Sequence, residues 1–397
     1  MTKKFRQPQG VSDVLTRQCY AKNKIERQLL DCFARYGYNQ IDTPVLEYGD
    51  LYSAGAGKVN MNKLFKLTDY DGSLLVLRPD MTMPISRIVS TKIPEGKYKF
   101  CYRGKMFRFS QGVGTREFSQ VGIELMGASG ICCDAEVVSL AIASLIEAGL
   151  EEFIIDIGHV GFFKGLLSSL RLSDEERKEL AELVESKNSI GEQLFAKKTG
   201  LTREQQESIL KMPMLFGGDE VFDEAEKYSV NDEMREAVKT LRKLDAILKA
   251  QGYDKYVSYD LSLVGEMSYY SGIVFKGMCE GVGSSILSGG RYDHLCDSFD
   301  RDIPSVGFAI GSDMLLLALA GAGKLPVRET RDVAVGCDEE GVAEALSFVR
   351  GLVAEGNYVV NLSVCKESDV KEYAENNGIK QAYYFRGDKP RCILKRN

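Results

Sequence analysis

Apolar residues at Ala21, Ile25, Leu29 and Phe33 recur with helical spacing, so residues 14–36 are predicted to form an amphipathic helix that stops at Gly37. Over residues 41–160 the rhythm changes to short apolar runs broken by Gly, Pro and Asp, which reads as strands. One stretch there departs from it: DAEVVSLAIASLIEAG, residues 134–149, is an apolar helix opening at Asp134 and closing at Gly149. From Leu172 to about Ala250 the chain is highly charged and helical in pattern, with capping-box spacing at Ser173/Glu176 and at Thr202/Gln205. Met234, Ala237, Val238, Leu241, Leu244 and Leu248 form a one-sided stripe within it, expected to face a core. Strand signals return over residues 256–311 in YYSGIVF, SSILSGGRYD and PSVGFAIG. A last unit begins near Val327, where VAVGC, YVVNLSV and QAYYF alternate with two helical stretches, the first closed by Gly356. That alternation predicts a small βαβαβ layer.

Composition narrows the function. The chain has 397 residues, 51 basic against 57 acidic, for a formal net charge of -6 and a pI near 5.4. A broadly basic nucleic-acid binder is thereby excluded, although a local basic groove is not. Only His159 and His294 are present, which argues against a His-rich metal site or a Ser-His-Asp triad; both are read as non-functional, His159 at a strand end and His294 in a surface loop. The ten cysteines contain no CxxC and are expected to be buried thiols of a reducing compartment. The N-terminal MTKKFRQPQG lacks an apolar core and no run approaches ~18 apolar residues, so a soluble, cytoplasmic protein is expected. No GxGxxG or phosphate-loop pattern opens a helix, and the glycine runs at 53–58 and 320–324 read as loops. No metal or cofactor is expected.

The segment with most chemistry is KFCYRGKMFRFSQGVGTREFSQVGIELMGA, residues 99–128, read as a strand ending near Arg108, a turn over 109–115 and a returning strand. On the second strand Val121, Ile123 and Leu125 share one face, while Arg116, Phe118, Gln120, Gly122 and Glu124 share the other. A guanidinium, an amide and a carboxylate around a glycine suit a small zwitterion: Arg forks onto a carboxylate and Glu accepts from an amine or imidazole N–H. A solvent-facing strand surface would show the same alternation.

These residues also resemble motif 2 of class II aminoacyl-tRNA synthetases in its histidyl form. ARYGYNQIDTPVLE (34–47) resembles motif 1, whose proline, here Pro44, would lie at a dimer interface. LRPDMTMPISRIV (77–89), SYYSGIVF (268–275), SGGRYDHL (288–295) and PSVGFAIGSDMLLLAL (304–319) resemble further segments of that family, in its order. The resemblance implies an α+β fold: a class II synthetase-like antiparallel sheet flanked by helices, in a homodimer. It places a synthetase-like domain over residues 1–325 with a helical insertion at about 165–250, followed by a small α/β domain, reduced and anticodon-binding-like, over 327–397.

The departures from the family point away from catalysis. Motif 3 of the synthetases carries Glu-Arg, and here Asp313 and Met314 stand there. A thioether cannot replace a planar cation at the ATP phosphates. Ser110 takes an acidic position of motif 2, whose loop is about two residues shorter, and Gly265 and Ser268 replace the arginine and aspartate of the RGLDYY segment. Positions that hold histidine in the synthetases survive as Thr82, Arg108, Gln120, Glu124, Tyr269 and Tyr270, with Asp80 in place of a glutamate. The whole pattern resembles the family of ATP phosphoribosyltransferase regulatory subunits. That resemblance implies a non-catalytic chain that partners a short-form catalytic subunit in the first step of histidine biosynthesis, with L-histidine as a candidate ligand, feedback control by it, and no tRNA substrate. Two alternatives remain open at this stage: a divergent histidyl-tRNA synthetase, and a synthetase-like RNA-binding or sensing module.

Overall fold

The structure is a computed structural model that describes residues 7–53, 59–109, 114–263, 269–327 and 331–395. The chain divides into two compact units, Met1–Pro326 and Val327–Asn397.

In the first unit, helix α1 (Thr16–Arg35) buries Ala21, Ile25, Leu29, Cys32 and Phe33, so the stripe read from the sequence is the face it packs. Strand β1 (Asn39–Gln40) follows, then a three-stranded antiparallel sheet of β2 (Leu46–Tyr48), β3 (Lys66–Thr68) and β4 (Leu74–Leu77), in the order β2-β4-β3. Helix α2 (Thr82–Thr91) separates that sheet from the long hairpin of β5 (Tyr98–Phe107) and β6 (Glu117–Met126). The apolar run at 134–149 becomes helix α3 (Ile131–Glu147), followed by β7 (Ile154–His159).

Helices α4 (Val160–Ser169), α5 (Asp174–Glu185), α6 (Ser189–Lys198), α7 (Arg203–Lys211), α8 (Val221–Lys227) and α9 (Asp232–Ala250) form the insertion, with the short strand β8 (Phe216–Gly217) among them. Both capping boxes form, at Ser173 with Glu176 and at Thr202 with Gln205. The α9 stripe is buried from Met234 to Leu248. Strands β9 (Val257–Asp260), β10 (Ile273–Met278), β11 (Leu287–Arg291) and β12 (Ser305–Gly311) and helix α10 (Ser312–Gly321) complete the unit.

The main sheet has nine strands in the order β1-β5-β6-β12-β11-β10-β7-β9-β8. Its centre is antiparallel, but β1 runs parallel to β5 and β7 parallel to β9, so the sheet is mixed rather than purely antiparallel. Val121, Ile123 and Leu125 face the largest hydrophobic core together with Phe33, Val138, Leu145, Phe162 and Leu241. The opposite face of the same strands is left for the site.

The second unit is a four-stranded sheet, β14-β13-β15-β16, built from β13 (Val333–Cys337), β14 (Val359–Val364), β15 (Gln381–Arg386) and β16 (Lys389–Lys395). Helices α11 (Val342–Ala354) and α12 (Glu367–Asn376) connect its parallel strands. The βαβαβ pattern is present, and the chain adds a fourth strand beyond it, the antiparallel edge strand β16. Its Lys, Pro and Arg side chains suit an edge, where charge and proline discourage further pairing. Within 41–160 the sequence reading also missed helix α2, whose MTMP opening hides a short helix behind a proline.

Candidate functional site

Pairing in the main sheet aligns a row of small residues on the face opposite the core. Gly122 on β6 pairs with Tyr102 on β5 and Ala309 on β12, while Glu124 pairs with Phe100 and Gly307. A Cβ at Gly307 would lie 2.0 Å from Glu124 Oε2, so only glycine there lets the carboxylate lie across β12. A Cβ at Gly122 would lie 2.6 Å from the Tyr102 hydroxyl. Gly122 therefore makes room for the Tyr102 ring, which lines the floor of a pocket.

That pocket gathers all seven candidate residues, Asp80, Thr82, Arg108, Gln120, Glu124, Tyr269 and Tyr270. They come from distant parts of the sequence: the entry to α2, the end of β5, the face of β6 and the segment before β10. Glu124 is only 2% exposed, which overturns the alternative of a solvent-facing strand surface. Its Oε1 accepts from Thr82 Oγ1 at 2.8 Å and its Oε2 accepts from the Tyr292 hydroxyl. Burial nonetheless pushes the Glu124 carboxyl up to about 8; the hydrogen bonds from Tyr292 and Thr82 oppose that shift, and the nearby Asp80 adds to it.

Asp80 occupies the turn into α2. Its Oδ1 accepts the Met83 N–H at 2.9 Å, capping the first turn, while Oδ2 is buried and has no hydrogen-bond partner. Burial raises its carboxyl as well, against the backbone hydrogen bond from Met83 and the charge of Arg108. Arg108 lies over the Phe118 ring at 4.9 Å, which orients its guanidinium while leaving donors for a ligand. Arg116, placed by strand alternation on the same face, instead stacks on Phe109 at 4.9 Å and is not part of the pocket lining.

The opposite wall is aromatic. Tyr269 packs edge-on against Tyr270 at 5.1 Å and against Tyr292 at 5.6 Å between ring centroids. The sequence reading missed Tyr102, Tyr292 and Lys276, all of which line the pocket. Tyr102 and Lys276 could have been found by the period-2 rule once strand pairing was known; Tyr292 sits in GGRYD, between the charged Arg291 and Asp293. Those neighbours do pair: Arg291 Nη1 lies 2.9 Å from Asp293, and Arg291 Nε donates to Asp134 at 2.8 Å. This triad ties β11 to the start of α3.

The remaining candidate positions have structural roles. Asp313 accepts from Lys22 Nζ at 2.7 Å and from the Ser119 N–H at 3.1 Å, joining α10 to α1 and β6. Met314 Sδ accepts from Ser284 Oγ at 3.2 Å. Ser110, Gly265 and Ser268 lie outside the described residues. His159 ends β7 and caps α4 by accepting the Gly161 N–H at 3.1 Å; burial first, then the charges of Lys164 and Arg291, pulls its imidazole down to about 4. A neutral, cap-forming histidine agrees with a non-functional reading. His294 is exposed beside Asp297. Cys32, Cys101, Cys296 and Cys337 are buried, but Cys19, Cys132 and Cys392 are exposed, so burial does not hold for all ten thiols. Among the described residues no helix is long and apolar enough to cross a membrane.

Comparison with known proteins shows the family and the fold. The family model described as Histidyl-tRNA synthetase matches residues 10–315. An ATP phosphoribosyltransferase regulatory subunit of Acetivibrio thermocellus is 36% identical over 378 residues, covering 94% of this chain and 90% of that protein. One of Clostridium acetobutylicum is 36% identical over 405 residues, covering 98% and 97%. A crystal structure described as an ATP phosphoribosyltransferase regulatory subunit/histidyl-tRNA synthetase from Bacillus halodurans C superposes with a TM-score of 0.84 at 31% identity, covering 98% of this chain and all of that one. Histidyl-tRNA synthetase from Nostoc sp. PCC 7120 shares the fold, with a TM-score of 0.80 at 22% identity over 98% of this chain and 93% of that one.

Proposed function

Because the chain belongs to the family of ATP phosphoribosyltransferase regulatory subunits built on the histidyl-tRNA synthetase fold, we propose that it partners a short-form catalytic subunit and contributes control rather than chemistry. Its place is then the first step of histidine biosynthesis. The observation that carries the reading is a contrast within one fold: an amino-acid pocket with its polar groups gathered, beside a motif 3 position where Met314 bonds to Ser284. Transition-state charge on transferring phosphates needs fixed cationic donors, and a thioether supplies none. Aminoacylation is lost on this reading, and tRNA is not a substrate.

The same pocket supports L-histidine as the ligand. Arg108 would take its carboxylate, Asp80 and Glu124 its ammonium and imidazole N–H groups, and Tyr269 and Tyr270 the ring edges. Control follows if binding favours one arrangement of the complex over another, a coupling of about 1–3 kcal/mol in typical cases. A homodimer through the synthetase-like core is part of the proposal. So is the division into a synthetase-like core over 1–325 and a reduced, anticodon-binding-like unit over 327–397.

Calorimetry of L-histidine with the full chain tests the site. Glu124→Ala should weaken binding at least about tenfold, since a hydrogen bond to a charged group is worth about 1.5–3 kcal/mol. Unchanged affinity would place histidine elsewhere. Histidine-dependent exchange of pyrophosphate into ATP would contradict the loss of synthetase chemistry.

A further inference from the structure

Two carboxyl groups are buried on one side of a pocket meant for a small molecule, and their surroundings are unequal to two negative charges. Asp80 is 7% exposed and Glu124 2%. The groups facing them can be taken element by element. From the α2 entry come the Thr82 hydroxyl and the Met83 N–H; from β5, Tyr102; from the turn at Gly49–Tyr52, Tyr52; from the segment before β10, Tyr269 and Tyr270; from β10, Lys276 in the pocket lining; from the end of β11, Tyr292; beyond β5, Arg108. Tyr38 lies farther off, on the core side, bonded to Glu136. Arg108 is the cation that bears on Asp80, and it is held over Phe118. The hydroxyls donate one hydrogen bond to each Glu124 oxygen, and Asp80 Oδ2 has no partner at all. A buried carboxylate oxygen without a donor costs folding free energy unless the group is protonated or a donor arrives.

We propose that the Asp80–Glu124 pair holds one proton while the pocket is empty and releases it when a cationic ligand group enters, so that ligand binding tightens as pH rises. This rests on the reading of the pocket as a site for L-histidine, whose ammonium brings both a charge and three donors to the unfilled acceptors. The balance is simple: the ligand cation replaces the proton as counter-charge, and the proton leaves to solvent. Burial of Glu124, which holds its carboxyl near 8, sets the range in which exchange is visible. Affinity then increases up to tenfold per pH unit below that value and levels off above it.

The experiment is calorimetry of L-histidine binding to the full chain at pH 6, 7 and 8, each in two buffers of contrasting ionisation enthalpy. The expected result is release of roughly one proton per histidine at pH 7, with affinity rising at least about tenfold from pH 6 to 8. In Glu124→Gln and in Asp80→Asn, which keep the shape of the pocket, binding persists with the released proton and the pH slope diminished. Wild-type binding with no proton exchanged and no pH slope overturns the proposal while leaving the histidine site standing. Release undiminished in both variants assigns the proton to another group and also overturns it. No binding at any pH overturns the histidine reading and this proposal together.

Discussion

Glu192 shows at residue scale how a buried acid outside the pocket acts on the fold itself. It is 0% exposed in α6, neither carboxyl oxygen has a hydrogen-bond partner, and burial pushes it up to about 7 from an ordinary 4.5. The folded chain therefore binds a proton here that the unfolded chain has given up. Stability from this group is full below pH 4.5, declines as pH rises through the interval to about 7, and is level above it. Glu192→Gln should shrink the loss of stability between pH 5 and 8 by about 1–3 kcal/mol, read from urea unfolding at both values. Superimposable pH profiles for the two proteins would contradict this. Nothing in the sequence marks Glu192, since an acid inside a charged helical run is normally solvated. The pocket was more legible: period-2 alternation put Gln120 and Glu124 on one face, while Asp80, Thr82, Arg108 and the Tyr269–Tyr270 pair came from resemblance. Tyr102 and Tyr292 were not found, because their place depends on which strands pair.

Elements were read best where one face is buried. The stripes of α1 and α9 appear as core faces, and both predicted capping boxes form. Helix α2 and strand β16 were not seen, being short and shaped by neighbours more than by their own pattern. The three-stranded sheet raises a different point. Strand registers place Leu46, Tyr48, Leu67, Leu75 and Leu77 on one face, and Leu46, Tyr48 and Leu67 are 45%, 59% and 43% exposed. Pro44 lies just before it, with Arg78 Nη1 bonded to the Thr43 carbonyl beneath. An apolar sheet face of this kind in water marks an interface, and it supports the proposed homodimer. Tyr48→Asp should therefore shift sedimentation from dimer to monomer with little change in helical content. A dimer that withstands the substitution would move the interface to another surface.

At the scale of the whole molecule, the fold class was legible because an ordered set of motifs spans nearly the length of the first unit. What the sequence left open was the mixed character of the sheet, since the parallel partners β1 and β9 are only two and four residues long. The formal net charge of -6 gives the chain no broad basic character for binding a nucleic-acid backbone. The regulatory role is tested most directly by mixing the full chain with a short-form catalytic subunit and measuring phosphoribosyl transfer from its substrates, with and without L-histidine. The account predicts transfer that rises at least about tenfold on adding the chain and falls again with histidine, less so in Glu124→Ala, a coupling in the usual range of about 1–3 kcal/mol. Transfer that is unchanged by the chain would contradict it.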